Sequence, residues 1–229
     1  MRVLLTRDRQ GNAAWARACH AAGIETYSLE TITIRPIISS SAIDVSQFDL
    51  LLFTSATAVQ VLSQLPIKKT ALPEVAVVGE VTANAAKKAG MTVSFISPSP
   101  TAHALARALP VKEHQKILWL HSALADLGSL RILRSRGGEV AAVPIYTTHI
   151  LTEPDPRLAP LLATGQIDKI VVASPSAVRG LLARAPRLST NIPVVAIGSK
   201  TANVARQAGF ARMQIAQHPN IGGILDAIL

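Results

Sequence analysis

An offset of 119 residues lays one stretch of this chain over another without a gap, and no other feature constrains the fold as tightly. It pairs Asp49 with Asp168, Ser55 with Ser174, Ala58-Val59 with Ala177-Val178 and Leu62 with Leu181. It continues through Gly79 and Gly198, through Thr82-Ala83-Asn84 and Thr201-Ala202-Asn203, and through Ala89-Gly90 and Ala208-Gly209. Chance does not keep one offset over such a span, so the chain contains a duplicated unit. Each copy has an apolar strand (Leu50 to Phe53, Ile170 to Ala173) that runs into a small polar turn, Thr54-Ser55-Ala56-Thr57 or Ser174-Pro175-Ser176. A helix beginning near Ala58 or Ala177 follows, then a Val-rich strand (Val75 to Val78, Val194 to Ile197) and a glycine. A second helix closes each copy at Gly90 or Gly209, where glycine supplies the left-handed turn that ends helices. Strands alternating with helices predict parallel sheets covered on both faces.

A weaker pair flanks these units. Arg2 to Thr6 reads as a strand, Asn12 to Ala22 as a helix stopped by Gly23, and Ile24 begins another strand. Lys116 to Leu120, Leu127 to Arg136, Gly137-Gly138 and Val140 to Val143 repeat that order. The chain therefore reads as A, B, A′, B′. Taken in sequence order it forms two tandem domains split near Pro110. Alternatively, B joins A′ and A joins B′, with crossings at the β-branched segments Thr31 to Arg35 and Ile145 to Ile150. The pattern leaves both arrangements open.

Composition narrows the chemistry. Aromatic residues are 3% of the 229 and charged residues 16%, so any core is built from Ala, Val, Ile and Leu. The mean hydropathy of +0.33 raises the question of a membrane, but no apolar run approaches the roughly 20 residues of a spanning helix. Val3-Leu4-Leu5 is too short for the apolar region of a signal peptide, and the single cysteine, Cys19, forms no internal disulfide framework. The expectation is a soluble cytoplasmic protein. The formal charge of +9 suits a polyanionic partner. Its basic residues are scattered, with only Lys68-Lys69 and Lys87-Lys88 as doublets and little aromatic interleaving, which argues against nucleic acid.

Ligands of parallel α/β sheets sit beyond the carboxyl ends of the strands, facing helix N-termini. Here those places are Thr6-Arg7, Thr54-Ser55, Gly79 to Thr82, His121-Ser122, Ser174 to Ser176 and Gly198 to Thr201. Hydroxyls and backbone N–H groups there suit several carboxylates, although Ser and Thr at such positions also serve as helix caps. Gly198-Ser199-Lys200-Thr201 looks like the end of a phosphate-binding loop, but Ser199 and Val194 stand where that motif requires glycine. There is no Gly-x-Gly-x-x-Gly, no Gly-x-Ser-x-Gly and no metal-ligand spacing among the six histidines. Tyr146, in a crossing segment, offers a phenol, and Lys200 places a cation at a helix start, which the helix dipole disfavours unless an anion is held there.

Taken together, these segments resemble the uroporphyrinogen-III synthases. The resemblance rests on Val3-Leu4-Leu5-Thr6-Arg7, Phe53-Thr54-Ser55 with Ala58-Val59, Val78-Gly79 with Thr82-Ala83, and Gly138 to Val140 leading to Ile145-Tyr146-Thr147. It continues through Ser174-Pro175-Ser176-Ala177-Val178 and Ala196-Ile197-Gly198 with Thr201-Ala202. It implies two similar parallel-sheet α/β domains joined by a two-stranded linker, with the active-site cleft between them. One domain is residues 1–34 plus 151–229, the other is 37–144, and the linker strands lie near 31–36 and 145–150.

It also implies a cofactor-free hydro-lyase with no metal, acting on hydroxymethylbilane, which carries an acetate and a propionate on each pyrrole. Loss of the terminal hydroxyl leaves an azafulvene cation. The last pyrrole attacks it through its substituted carbon, and the resulting spiro intermediate recloses with that ring inverted. Carried over by position, Tyr146 assists departure of the hydroxyl. Arg7, Thr54, Ser55, Thr82, Ser174, Ser176, Gly198, Ser199, Lys200 and Thr201 are then substrate-binding. This chain has His121-Ser122 where many members have Arg-Gly, and Gly198-Ser199-Lys200-Thr201-Ala202 where many have Gly-Pro-Thr-Thr-Ala. The expected state is a monomer, without membrane or nucleic-acid partners, in transient contact with hydroxymethylbilane synthase. The alternative is a non-catalytic homologue that binds a polyanion or tetrapyrrole.

Overall fold

A computed structural model describes residues 1–37, 44–65 and 72–229; the Lys68-Lys69 doublet lies outside the described residues. The chain runs β1 (Arg2–Arg7), α1 (Arg9–Ala21), β2 (Glu25–Glu30), β3 (Ile32–Pro36), β4 (Leu50–Phe53), α2 (Ala56–Gln64), β5 (Glu74–Val77) and α3 (Glu80–Lys88). It continues with β6 (Val93–Ile96), α4 (Ala102–Ala108), β7 (Lys116–Ser122), α5 (Leu130–Ser135), β8 (Glu139–Ile150) and α6 (Leu158–Ala163). The last part is β9 (Lys169–Val172), α7 (Pro175–Arg184), β10 (Val194–Ala196), α8 (Ser199–Gln207), β11 (Met213–Ile215) and α9 (Ile221–Ile228). Two compact units result, Met1–Ile34 with Thr148–Leu229, and Arg35–Thr147.

In the first unit a parallel sheet runs β11-β10-β9-β1-β2. Its inner strands β1, β9 and β10 are buried, which is why they read as apolar runs, while the edge strands β2 and β11 are largely exposed. Leu4, Ile170, Val172, Val194 and Ala196 pack with Val178 and Leu181 of α7 and Ala202 and Ala205 of α8. Val3, Leu5, Val171 and Val195 face the other way, onto Trp15 and Cys19 of α1 and Ile224 and Ile228 of α9. Burying a Leu or Val side chain contributes about 1.5–3 kcal/mol, so these two faces hold the unit together. The other sheet has the order β3-β8-β7-β4-β5-β6, with β7, β4, β5 and β6 wholly in the second unit. Leu50, Leu52, Ile117 and Trp119 pack on Leu105 of α4 and Leu133 of α5.

The duplication survives as geometry. β4 and β9, and α3 and α8, begin and end at positions 119 apart. Asp49 and Asp168 each clasp the first residue of the adjacent strand. The Lys116 N–H donates to Asp49 Oδ2 (2.8 Å) and the Arg2 N–H to Asp168 Oδ2 (2.7 Å), while the aspartate N–H groups donate back to the Lys116 and Arg2 carbonyls. Helices α2 and α7 start earlier than Ala58 and Ala177. Ser55 and Ser174 cap them, accepting from the Ala58 and Ala177 N–H groups, so the hydroxyl sits three residues ahead of its donor. Asp8 does the same for α1, accepting from Gly11, which moves that helix start back from Asn12 to Arg9.

β8 is longer than the strand expected at Val140 to Val143, because the next segment continues it without interruption. Pro144 has no N–H to give the ladder, and the β7–β8 register shifts beside it: His121 pairs with Pro144, but Ser122 with Tyr146. On its other side β8 runs antiparallel to β3, with the Ile37 N–H donating to Ile145 O and the Leu151 N–H to Thr31 O.

Gly180 lies inside α7, where alanine would ordinarily stabilise by about 1 kcal/mol. A Cβ there would strike the Thr31 carbonyl, and that carbonyl is already fixed by the Leu151 N–H. Gly180→Ala is therefore expected to destabilise the protein by about 1–3 kcal/mol in urea titration, the cost of overpacking.

Buried Asp155 accepts from Arg157 Nε (3.0 Å) and Nη2 (2.7 Å) and from Arg184 Nη2 (3.2 Å). The Arg157 hydrogen bonds chiefly hold its carboxyl far below the usual carboxylate range, with burial opposing them. The folded state thus binds the proton more weakly than the unfolded chain. The stabilisation is complete above about pH 4, the unfolded value, and is lost as pH falls below it toward the folded value. Asp155→Asn is expected to lower stability near neutrality by about 1–3 kcal/mol and to flatten the acid limb of a melting-temperature profile.

Candidate functional site

In the unit Arg35–Thr147, the carboxyl ends of β4 and β7 and the register shift of β8 bring three elements together. Tyr146 follows the shift, is 7% exposed, and places its hydroxyl 3.0 Å from Ser55 Oγ. Ser55 Oγ also accepts from the Ala58 N–H at 3.1 Å, so the α2 cap and the phenol share one oxygen. With the amide occupying one lone pair, the serine O–H is free to donate to the phenol oxygen or to let the phenol donate to it. Beside this pair, Trp119 Nε1 donates to Thr54 Oγ1 at 3.4 Å. His121 stands edge-on to Trp119, with ring centroids 5.6 Å apart. In the sequence His121 stands out as a strand-end position and as a departure from Arg-Gly. Here it is buried, with Nδ1 2.7 Å from the Ser122 carbonyl. A carbonyl only accepts, so Nδ1 carries a proton, and buried Nε2 has no partner among the described residues.

Thr82 sits in the first turn of α3, buried, and its hydroxyl has no partner among the described residues. Gly79 precedes this helix in extended backbone and provides no side-chain cap, while Glu80 occupies the first turn. The structure therefore joins Tyr146, Ser55 and Thr54 around adjacent strand ends, and puts Thr82 on the helix following β5.

In the other unit, Met1–Ile34 with Thr148–Leu229, Ser174 caps α7 at 3.0 Å from the Ala177 N–H, and half-buried Ser176 lies in that helix's first turn. Helix α8 starts from Gly198, also extended and without a side-chain cap. A Cβ on Gly198 would meet nothing within 4 Å among the described residues, and no side chain caps the first turn of α8. Ser199 and Lys200 are exposed there, and Thr201 is buried beneath them, 3% exposed. This edge differs from its duplicate in sign. Glu80 starts α3, whereas Ser199 and Lys200 start α8, whose first turn carries no acid. An anion meeting α8 gains from both the dipole and the ammonium; one meeting α3 meets a carboxylate.

Arg7 ends β1 and folds back over the Trp15 ring, 4.6 Å from its centroid. Burial pulls its pKa below the ordinary arginine value, with nearby Asp8 opposing that shift. No hydrogen bond holds the guanidinium among the described residues, so its forked donors remain available to a ligand. Among the described residues no group of three or more His, Cys, Asp or Glu is placed to hold a metal ion, and no helix is long and apolar enough to cross a membrane.

Known proteins resemble the chain along its whole length. It is 26% identical over 221 residues to a uroporphyrinogen-III synthase of Chlorobaculum parvum, covering 91% of this chain and 89% of that protein. It is 27% identical over 244 residues to a chloroplastic uroporphyrinogen-III synthase of Oryza sativa subsp. japonica, covering 99% and 79%. Its fold is similar to that of the uroporphyrinogen-III synthetase of Helicobacter pylori, with a TM-score of 0.64 at 17% identity over 99% of this chain and 97% of that one. A mutant uroporphyrinogen III synthase of Thermus thermophilus gives a TM-score of 0.57 at 21% identity, over 100% and 97%. The profile of the family described as uroporphyrinogen-III synthase HemD matches residues 13–226. With nearly the whole chain matched, from α1 through α9, this protein belongs to the uroporphyrinogen-III synthase HemD family.

Proposed function

We propose that this chain is a cyclising hydro-lyase that converts hydroxymethylbilane to uroporphyrinogen III with inversion of ring D and loss of water. Family membership across residues 13–226 carries the reaction, and the 3.0 Å contact between the Tyr146 hydroxyl and Ser55 Oγ carries the assignment of its proton donor. Tyr146 gives its proton to the terminal hydroxyl of the bilane as the carbon–oxygen bond breaks and water leaves. Ser55, donating to the phenol oxygen, stabilises the negative charge that develops there. The substituted carbon of ring D then attacks the azafulvene carbon. The spiro species fragments and recloses, and the proton lost from the pyrrole returns to the phenolate.

Closure without inversion requires no enzyme, so the principal task is to hold the chain in the geometry of the spiro closure. That task calls for many weak anchors on the acetate and propionate arms. Arg7, Thr54, Thr82, Ser174, Ser176, Ser199 and Thr201 provide donors at strand ends and helix starts, and Lys200 with the Gly198 opening of α8 supports the strongest carboxylate position. Residues 1–34 with 151–229 and residues 37–144 are the two domains of this reading, which needs no cofactor. A monomer in the cytoplasm, in transient contact with hydroxymethylbilane synthase, completes it.

The decisive assay generates hydroxymethylbilane in situ with its upstream deaminase, adds this protein and separates the oxidised uroporphyrins. Isomer III supports the reading, and isomer I alone from folded protein ends it. In that assay Tyr146→Phe is expected to lower kcat roughly 10- to 100-fold with little change in KM, in line with loss of a general acid. Unchanged kcat would remove Tyr146 from the mechanism. Lys200→Glu is expected to raise KM several-fold with kcat nearly intact, an effect that shrinks as salt is added. The duplicate position behaves oppositely: Glu80→Gln leaves KM unchanged or lowers it.

A further inference from the structure

A cavity of about 420 Å³ opens in the unit Met1–Ile34 with Thr148–Leu229, with Arg9, Asn12, Ser28, Glu30, Arg157 and Arg184 in its lining. None of these residues has a part in the reaction above. The volume is within the range of small-ligand pockets and too small for a tetrapyrrole with an acid arm at every corner. Asn12 is committed to the fold, donating to the Arg7 and Leu29 carbonyls and accepting from the Arg7 N–H. The arginines are not committed to the same degree.

Asp155, behind the lining, holds two of the three guanidinium groups. Arg184 holds that carboxylate from the less exposed side, and the Asp155 N–H donates to the Arg184 carbonyl at 3.0 Å, which ties the segment before α6 to the end of α7. Arg157 makes the closer, two-point contact from the exposed side. Its side chain is 71% exposed, yet two hydrogen bonds to Asp155 fix its plane and leave Nη1 without a partner among the described residues. Arg9 is exposed and has no partner among the described residues, and buried Arg184 Nε has none either. Among the described residues Glu30 is the only acid in the lining. Three guanidinium groups thus meet two carboxylates, leaving one positive charge in excess around a concave space. A guanidinium held rigid by a carboxylate behind it loses little entropy on binding and presents a planar fork that matches an oxyanion.

We propose that this cavity is a second ligand site, which takes a small molecule bearing a carboxylate or phosphate group on Arg157 and Arg9. Asp155 orients Arg157, Ser28 adds a hydroxyl, and Glu30 limits how much negative charge the site accepts. The site is independent of the tetrapyrrole reading, because it is measured by binding and its residues take no part in isomer formation.

Isothermal titration of the full chain at low ionic strength, with citrate and separately with inorganic phosphate, tests it. Saturable binding of either is expected; stronger binding of citrate identifies a carboxylate ligand and stronger binding of phosphate a phosphorylated one. Arg9→Ala and Arg157→Ala are each expected to weaken binding roughly tenfold, the loss of one charge-assisted contact, and Glu30→Gln to tighten it. All three keep forming isomer III at the wild-type rate. Arg9 is exposed and unpartnered among the described residues, so Arg9→Ala folds and carries the test even if Arg157→Ala does not. Absence of saturation by about 10 mM of either probe, or wild-type affinity in Arg9→Ala, overturns the proposal. So does binding that Lys200→Glu abolishes while Arg9→Ala leaves it intact.

Discussion

Arg2 and Lys116 each open a strand whose sheet partner lies far along the chain, and an aspartate fixes each of them in register. Asp168 takes the Arg2 N–H, and Asp49 takes the Lys116 N–H. In both places the aspartate's own N–H returns a bond to the partner's carbonyl. A one-residue slip in a sheet buried on both faces would turn every side chain toward the wrong helix layer, so register is the condition on which both cores rest. The two clasps set it at the amino ends of β1–β9 and β7–β4. Once it is set, the carboxyl ends come level, and the residues that follow them become neighbours. Tyr146 reaches Ser55 because β8 is in register with β7, and β7 with β4. The chemistry at one end of the sheet is therefore fixed by hydrogen bonds at the other.

Duplication gave two such edges, and they have diverged in how far each is committed to structure. Both serines cap a helix, but only Ser55 shares its oxygen with a phenol. Both glycines precede an uncapped helix, but a carboxylate starts one and an ammonium-bearing turn the other. The buried threonines beneath, Thr82 and Thr201, are retained in both copies with their small alanine neighbours, which lets the helices lie close to their sheets. Packing is thus common to the two copies, and charge is where they part. This is expected when core volume tolerates little change while exposed first-turn residues contribute little to folding.

The same division explains what the amino-acid sequence reveals. The parallel sheets, the order of strands and helices and the glycine stops were legible, because each rests on a local period or on a backbone requirement such as positive φ at Gly90 and Gly209. Helix starts were displaced by two or three residues at Ala56, Pro175 and Arg9. A cap is defined by where a side-chain oxygen points, and apolar periodicity does not report that. The continuous β8 was read as two pieces, since Pro144 signals a break in sequence and only the neighbouring strand shows how the register absorbs it. Ser55 and Tyr146, 91 residues apart, are each visible as candidates, but their contact is a product of topology. The arginines around Asp155 carry no signal in the sequence. Charged residues scattered at 157 and 184 resemble any solvated surface until a buried carboxylate is found between them.

A strongly basic chain is a consistent design for this chemistry. The proposed reaction passes through a cation, and a fixed positive charge beside the reacting ring would raise its energy, by several kcal/mol at contact distance in a partly shielded site. Positive charge is useful at the periphery, where it meets carboxylates, and harmful at the centre. The neutral hydroxyl pair of Tyr146 and Ser55 suits that condition in the proposed role, in which it delivers a proton to the leaving oxygen and becomes negative as the cation forms. His121 is buried beside Trp119, with Nε2 unpartnered among the described residues. Lys200 puts a positive charge at an exposed helix start, where the proposed reading has it meet a carboxylate arm of the substrate.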